Sequence, residues 1–116
     1  MKGLELSIAI AKILDDKKAQ DVKVLKIQDL TVVTDYIVIA TGTSTTQVKA
    51  LADEVDFKLE QLYQLQPTKV EGYESKNWIL MDYDTVIVHV FHPEARSYYS
   101  LDKLWADGEE IAVDLS

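Results

Sequence analysis

Residues 36–47 read YIVIATGTSTTQ and join two structural elements in one short segment. The first five residues, from Tyr36 to Ala40, form an uninterrupted apolar run rich in β-branched side chains. A run of this length and composition is typical of a central strand that is covered on both faces. Ser44 and Gln47 then have the spacing of a capping box, which satisfies free backbone N–H groups at a helix start. The segment therefore predicts a buried strand that leads directly into a helix.

Helical periodicity appears on both sides of this strand. Downstream of Ser44, six apolar residues recur on one stripe and end before Pro67, which excludes further helix. Upstream, a shorter stripe with the same spacing predicts an N-terminal helix. The two stripes consist of Val48, Leu51, Ala52, Val55, Leu59 and Leu62, and of Leu6, Ala9, Ile10, Ile13 and Leu14.

Four further segments are predicted to be strands from their short apolar or alternating composition. They are residues 22–27, 68–71, 78–82 and 86–91. A tight turn around Tyr83 and Asp84 is expected to join the last two strands into a hairpin.

His92-Pro93-Glu94 is predicted to open a last helix, because Pro is favoured at the first helical position. Leu101, Leu104 and Trp105 are its expected apolar contacts. The element order α-β-β-α-β-β-β-α predicts an α/β (α+β) fold, a mixed β-sheet of about five strands flanked by helices. Residues 1–106 are expected to form a single domain, and residues 107–116 an acidic C-terminal tail that frays.

The charge balance narrows the class of partner. The 116 residues contain 12 Lys and Arg against 20 Asp and Glu, a net charge of −8. Proteins that bind nucleic acids draw much of their affinity from cationic side chains, so direct readout of DNA or RNA is disfavoured. An acidic surface suits a basic protein partner. No Cys, apolar run of membrane-spanning length or signal-peptide pattern appears, so we expect a cytoplasmic protein without a membrane partner.

Two motifs favour enzymatic chemistry only weakly. Asp82 and Asp84 form an Asp-x-Asp pair, and clustered carboxylates hold the Mg²⁺ ions of nucleotidyl transfer. A hairpin turn explains the same pair, because Asp bonds its own backbone in turns. The Gly42-Thr43-Ser44 loop precedes a helix and could bind an anion, but it matches neither phosphate-binding glycine motif and is favoured as a capped turn.

His89 and His92 are separated by three positions, a poor spacing for two metal ligands on one strand. His89 is favoured as a hydrogen-bonded sheet residue, and His92 as a helix-start residue. The sequence therefore predicts no metal site.

Aromatic residues concentrate in the C-terminal third of the chain. Trp and Tyr are frequent anchors of protein interfaces, although core packing is the alternative for each of them. Tyr98 and Trp105 are assigned to the core. Trp78 shares strand parity with Leu80 and Asp82, which predicts an apolar pair ending in a carboxylate on one side of the sheet. From the residues alone, the chain is more a binding domain than an enzyme. The Trp and Tyr residues of the C-terminal third are Trp78, Tyr83, Tyr98, Tyr99 and Trp105.

Three blocks of sequence carry a family resemblance. They are DYIVIATG (residues 35–42) with Ser44 and Gln47, the long run GYESKNWILMDYD (72–84) continued by VIVHVFHPEAR (86–96), and LDKLW (101–105). Together they resemble the Iojap-like ribosomal silencing factor family over nearly the whole chain.

The resemblance implies a bacterial protein that binds the large ribosomal subunit through its fourteenth protein and blocks joining of the small subunit when nutrients are short. It implies a nucleotidyltransferase-like fold without the catalytic set, and hence no catalytic residue and no cofactor. The small Mg²⁺-dependent nucleotidyltransferase using Asp82 and Asp84 stays the alternative, and a homodimer through the exposed hairpin stays possible. The expected partner-binding residues are Trp78, Leu80, Asp82, Tyr83, Asp84, Glu71, Tyr73 and His89.

Overall fold

Four helices and six strands are formed by residues 2–115, which the computed structural model describes apart from the side chain of Tyr99. None of the helices in this range combines the length and the apolar character needed to cross a membrane. In chain order the elements are α1 (Gly3–Asp16), β1 (Gln20–Lys26), β2 (Tyr36–Thr41), α2 (Thr45–Tyr63), β3 (Lys69–Glu71), β4 (Trp78–Asp82), β5 (Val86–Phe91), α3 (Pro93–Tyr99), α4 (Leu101–Leu104) and β6 (Glu109–Ile111).

The strands form one sheet in the order β3-β4-β5-β2-β1-β6. Neighbouring strands are antiparallel except for β2 and β5, which are parallel. A parallel pair needs a crossover connection, and α2 with the β3–β4 hairpin supplies it. The predicted α+β class with a mixed sheet is confirmed, although the sheet has six strands. The two central strands are β2 and β5, and every residue in both is buried, as the apolar run at Tyr36 predicts.

Helices α1 and α2 cover one face of the sheet through the predicted apolar stripes. The contacts come from Ile10 and Leu14 of α1 and from Leu51 and Leu59 of α2, all of which are fully buried. We call this layer the helix-side core. Leu62 was expected in it but is exposed in the last turn of α2, and Leu65, beyond the helix, packs against the core instead.

The opposite face carries a second cluster, which we call the second-face cluster. Trp78, Leu80 and Trp105 pack against it while remaining half-buried. The short helices α3 and α4 contribute little cover, with Leu101 as their buried member. The cluster consists of Leu25, Ile27, Ile37, Ile39, Ile87, Phe91 and Leu101.

Two predictions for the C-terminal segment are wrong. The last helix is broken at Ser100, whose left-handed φ of 51° ends α3 before α4 begins. Leu104 after the break and Tyr98 before it are both exposed, which contradicts their predicted packing. The tail does not fray over its whole length, because β6 pairs antiparallel with the outer edge of β1. The division into a domain of residues 1–106 and a separate tail stays a prediction.

Candidate docking surface

Trp78, Leu80 and Asp82 lie on the same side of β4 and are each half-buried, whereas Ile79 and Met81 between them are fully buried in the helix-side core. This alternation confirms the predicted strand parity. We call the three half-buried residues the docking strip. Because β4 is next to the edge of the sheet, the strip lies where a partner could reach it.

Cross-strand pairs extend the docking strip in both directions. Leu80 pairs with Glu71 on the edge strand β3 and with His89 on β5, so the three side chains form one row on the second face. Glu71 is exposed and lies 3.2 Å from the ammonium of Lys69. Asp82 pairs with Ile87 in the next row. The structure thus brings together five of the eight residues predicted to bind a partner, with Asp84 at the adjoining turn.

The indole of Trp78 is fixed from two sides. Its Nε1 donates a hydrogen bond to Nδ1 of His89 at 3.0 Å, and its ring stacks on Phe91 with centroids 5.0 Å apart. His89 is only 7% exposed, and this burial lowers the pKa of its imidazole to about 4. His89 is therefore neutral near pH 7 and can accept the indole N–H. The expectation of a hydrogen-bonded sheet histidine is confirmed.

Gly72 lets the chain approach Trp78 closely. Its φ of 95° is a conformation that other residues rarely adopt, and a Cβ at this position would collide with the carbonyl oxygen of Trp78. On the far side, the N–H of His92 donates to the carbonyl of Asn77 at 2.8 Å. The backbone that precedes Trp78 is thus held on both sides.

Asp82 and Asp84 form a hydrogen-bonded turn. The backbone N–H of Asp84 donates to Oδ1 of Asp82 at 2.8 Å, and Asp84 has a left-handed φ of 73°. This geometry confirms the hairpin-turn interpretation. Among residues 2–115, no group of three or more Asp, Glu, His or Cys side chains is placed to hold a metal ion. The carboxylates are instead partly or fully exposed at the end of the docking strip.

Tyr73 and Tyr83 lie on the other face of the sheet, contrary to the expectation that they extend the patch. Tyr83 follows Asp82 and so has the opposite parity, which buries it in the helix-side core. Tyr73 packs against the same core, and its hydroxyl donates to Oδ1 of Asp53 at 2.7 Å. Burial and the Asp53 carboxylate raise the pKa of Tyr73, and burial raises that of Tyr83.

The loop from Gly42 to Ser44 is a capped turn, as favoured by its sequence. Oγ of Ser44 accepts a hydrogen bond from the N–H of Gln47 at 3.1 Å, and Oε1 of Gln47 accepts from the hydroxyl of Thr43 at 2.8 Å. The side chains of the loop thus satisfy the helix start themselves.

Arg96 is a structural residue whose role was not predicted from the sequence. Its guanidinium donates to the carbonyl of Asp21 at 2.7 Å, to Oγ1 of Thr41 at 2.8 Å and to both carboxylate oxygens of Asp102 at 3.3 and 3.0 Å. Hydrogen bonds from Arg96, opposed by partial burial, lower the pKa of Asp102. Arg96 therefore ties α3 to β1, β2 and α4. That it is the sole Arg of the chain was the available signal.

The fold and this surface define a class of small α+β domain in which helices seal one sheet face and the other presents a fixed, half-buried tryptophan. The chain belongs to the family described as "Ribosomal silencing factor during starvation", whose model matches residues 2–116.

Named relatives are similar over almost their full length. The ribosomal silencing factor RsfS of Halalkalibacterium halodurans is 37% identical over 98% of this chain and 97% of its own length. The RsfS of Bacillus subtilis is 42% identical over 94% of this chain and 91% of its own.

Solved structures share the fold. A crystal structure of a protein from Chromobacterium violaceum superposes with a TM-score of 0.87 at 35% identity, over 100% of this chain and 95% of that one. A crystal structure from Bacillus halodurans gives a TM-score of 0.76 at 36% identity, over 95% and 96% of the two chains. The predicted family is thereby confirmed.

Proposed function

We propose that this chain binds the large ribosomal subunit in the bacterial cytoplasm, through the fourteenth ribosomal protein, and blocks association with the small subunit when nutrients are limiting. The block is steric, because the bound domain occupies the surface that the small subunit would contact. The protein acts as a translational repressor and catalyses no reaction.

The observation that carries the proposal is the fixed, half-buried indole of Trp78. Interfaces depend on a few large side chains, often Trp, that enter a pocket of the partner. The hydrogen bond to His89 and the stack on Phe91 hold the indole before a partner arrives. An anchor that is already ordered loses less side-chain entropy on binding. Leu80 provides the neighbouring apolar area.

The charge of the surface supports a basic protein as the partner. Glu71 lies beside Leu80, and Asp82 and Asp84 lie at the end of the docking strip, in a chain whose net charge is −8. Carboxylates at the edge of an interface steer a basic partner and set its orientation. The same charge opposes close contact with ribosomal RNA. The bacterial relatives are named ribosomal silencing factors, which agrees with a ribosomal partner.

The test combines binding and subunit joining. The purified chain is mixed with purified large subunits in a sucrose gradient, and the rate at which small subunits join is followed by light scattering. We expect co-sedimentation with the large subunit and slower joining. Subunits that join at their normal rate in the presence of excess protein would contradict the proposal.

Two variants locate the interface. Trp78→Ala should weaken binding about 30-fold or more, the loss of an interface hot spot. Phe57→Ala is the matched control, since Phe57 is an exposed aromatic on α2, which covers the opposite sheet face. It should bind as the wild type does. Incubation with labelled nucleoside triphosphates and Mg²⁺, with Asp82→Asn for comparison, tests the alternative: metal-dependent transfer lost in the variant would favour the nucleotidyltransferase.

A further inference from the structure

The loop between β1 and β2 exposes three large aliphatic side chains. Val32 is 104% exposed relative to its reference value, Val33 70% and Leu30 45%. Loops at the surface are usually polar, and turns are formed mainly by Gly, Pro, Asn, Asp and Ser. With this much exposure, packing within the fold does not explain why residues 28–34 carry aliphatic side chains. We call Leu30, Val32 and Val33 the loop tip.

The loop tip is held in place by hydrogen bonds at its base. The N–H of Ile27 donates to the carbonyl of Asp35 at 2.8 Å, which closes the loop. The hydroxyl of Thr34 donates to the carbonyl of Asp84 at 3.1 Å, and the N–H of Asp35 donates to the carbonyl of Thr85 at 3.2 Å. The β1–β2 loop is thus joined to the β4–β5 turn. Because the base of the loop is fixed in this way, the loop loses less conformational entropy when its tip binds a partner.

Acidic residues flank the loop tip in the two segments that meet at its base. Residues 27–36 and 82–86 contain Asp29, Asp35, Asp82 and Asp84 and no Lys or Arg. The ion pairs between described residues involve none of these four carboxylates. Lys69 is the cross-strand partner of Asp82, but its ammonium pairs with Glu71. An apolar tip beside carboxylates outside these ion pairs complements a protein surface that carries Lys or Arg around an apolar patch.

The loop tip also adjoins the docking strip. Ile27, at the base of the loop, is a member of the second-face cluster against which Trp78 and Leu80 pack. Asp82 ends the strip and opens the turn that the loop is bonded to through Asp84. A partner that covers the docking strip would therefore meet the loop tip at the same end of the sheet.

From this arrangement we infer that the loop tip is a second contact area for the basic ribosomal protein, beside the docking strip. This inference rests on the proposed function and deepens it. It assigns the end of the sheet that carries the loop to the interface, with Val32 and Val33 entering an apolar depression and the Asp side chains facing Lys or Arg.

The test uses the full-length chain with a Val32→Asn/Val33→Asn double substitution. Affinity for purified large subunits, and for the isolated fourteenth ribosomal protein, is measured beside the wild type. We expect binding to weaken about tenfold or more with both probes. The matched control is Phe57→Asn/Leu62→Asn, which replaces two exposed apolar residues of α2 on the opposite face of the sheet and should bind normally.

The outcomes separate the two proposals. If wild-type protein binds, Trp78→Ala weakens binding and the Val32/Val33 variant binds normally, the inference is overturned and the proposed function stands. If the wild type binds neither probe, both fail. Circular dichroism verifies folding, and should the Asn variant unfold, the near-isosteric Val32→Thr/Val33→Thr variant decides by the same criteria.

Discussion

The indole N–H of Trp78 on β4 donates to Nδ1 of His89 on β5, across two strands of one sheet. A buried neutral imidazole thus orients the side chain that we propose as the interface anchor. Because Nδ1 accepts this bond only when it carries no proton, the orientation of the tryptophan is linked to the titration of the histidine.

We expect the domain to lose stability as the pH falls from about 6.5 to about 4. Burial lowers the pKa of His89 from its ordinary 6.5 to about 4, so the unfolded chain takes up the proton first. The free energy of unfolding should fall by roughly 3 kcal/mol over this window. Urea denaturation at several pH values measures it. His89→Gln, which keeps an acceptor but does not titrate, should lose less, and parallel losses in both proteins would contradict the prediction.

Gly72→Ala should destabilise the fold by about 3 kcal/mol or more. Alanine would be strained at the positive φ of this position, and its Cβ would collide with the carbonyl oxygen of Trp78. Thermal unfolding gives the stability, and Trp fluorescence reports any displacement of the indole. Ser75→Ala in the same loop is the control and should change little. A Gly72→Ala protein as stable as the wild type would show that this approach is not needed.

Arg96→Lys should lower stability by about 2 kcal/mol, because an ammonium cannot make the four bonds that the planar guanidinium donates to Asp21, Thr41 and Asp102. Chemical denaturation measures the change. Lys103→Ala, at an exposed basic residue of α4, should stay within about 0.5 kcal/mol of the wild type. Equal stability of the two variants would argue against a tethering role for Arg96.

Tyr83→Phe should leave stability unchanged or raise it by about 1 kcal/mol. The hydroxyl of Tyr83 is buried without a hydrogen-bond partner among the described residues, so removing it relieves a desolvation cost. Tyr73→Phe is the comparison and should destabilise the domain by about 1 kcal/mol, since it removes the bond to Asp53. A destabilised Tyr83→Phe protein would mean that the hydroxyl is satisfied, for instance by water.

The features of the fold that were predicted correctly are those with a local physical signal in the sequence. The apolar run at Tyr36, the Ser44 cap and the parity of Trp78, Leu80 and Asp82 all depend on neighbours within a few positions. Prediction from the sequence failed where distant contacts decide. Three residues at β6 carry no readable period, and only pairing with β1 makes them a strand. The family resemblance supplied the ribosomal assignment, which residue patterns alone did not reach.

The same distinction explains the misplaced residues. Tyr98 and Leu104 are apolar enough for a core, yet both are exposed. The left-handed Ser100 redirects the chain ahead of Leu104, and Ser carries no signal for such a break as Gly would. Tyr83 was grouped with Trp78 as an aromatic residue, although its parity already placed it on the opposite face. Arg96 was quoted only as part of a motif, because its partners Asp21 and Thr41 are distant in the chain.

The position of β6 matters for how the molecule is made. During synthesis β1 emerges well before β6, the strand that covers its outer edge. A nascent chain therefore carries an open strand edge, which invites pairing with other chains, until β6 has emerged.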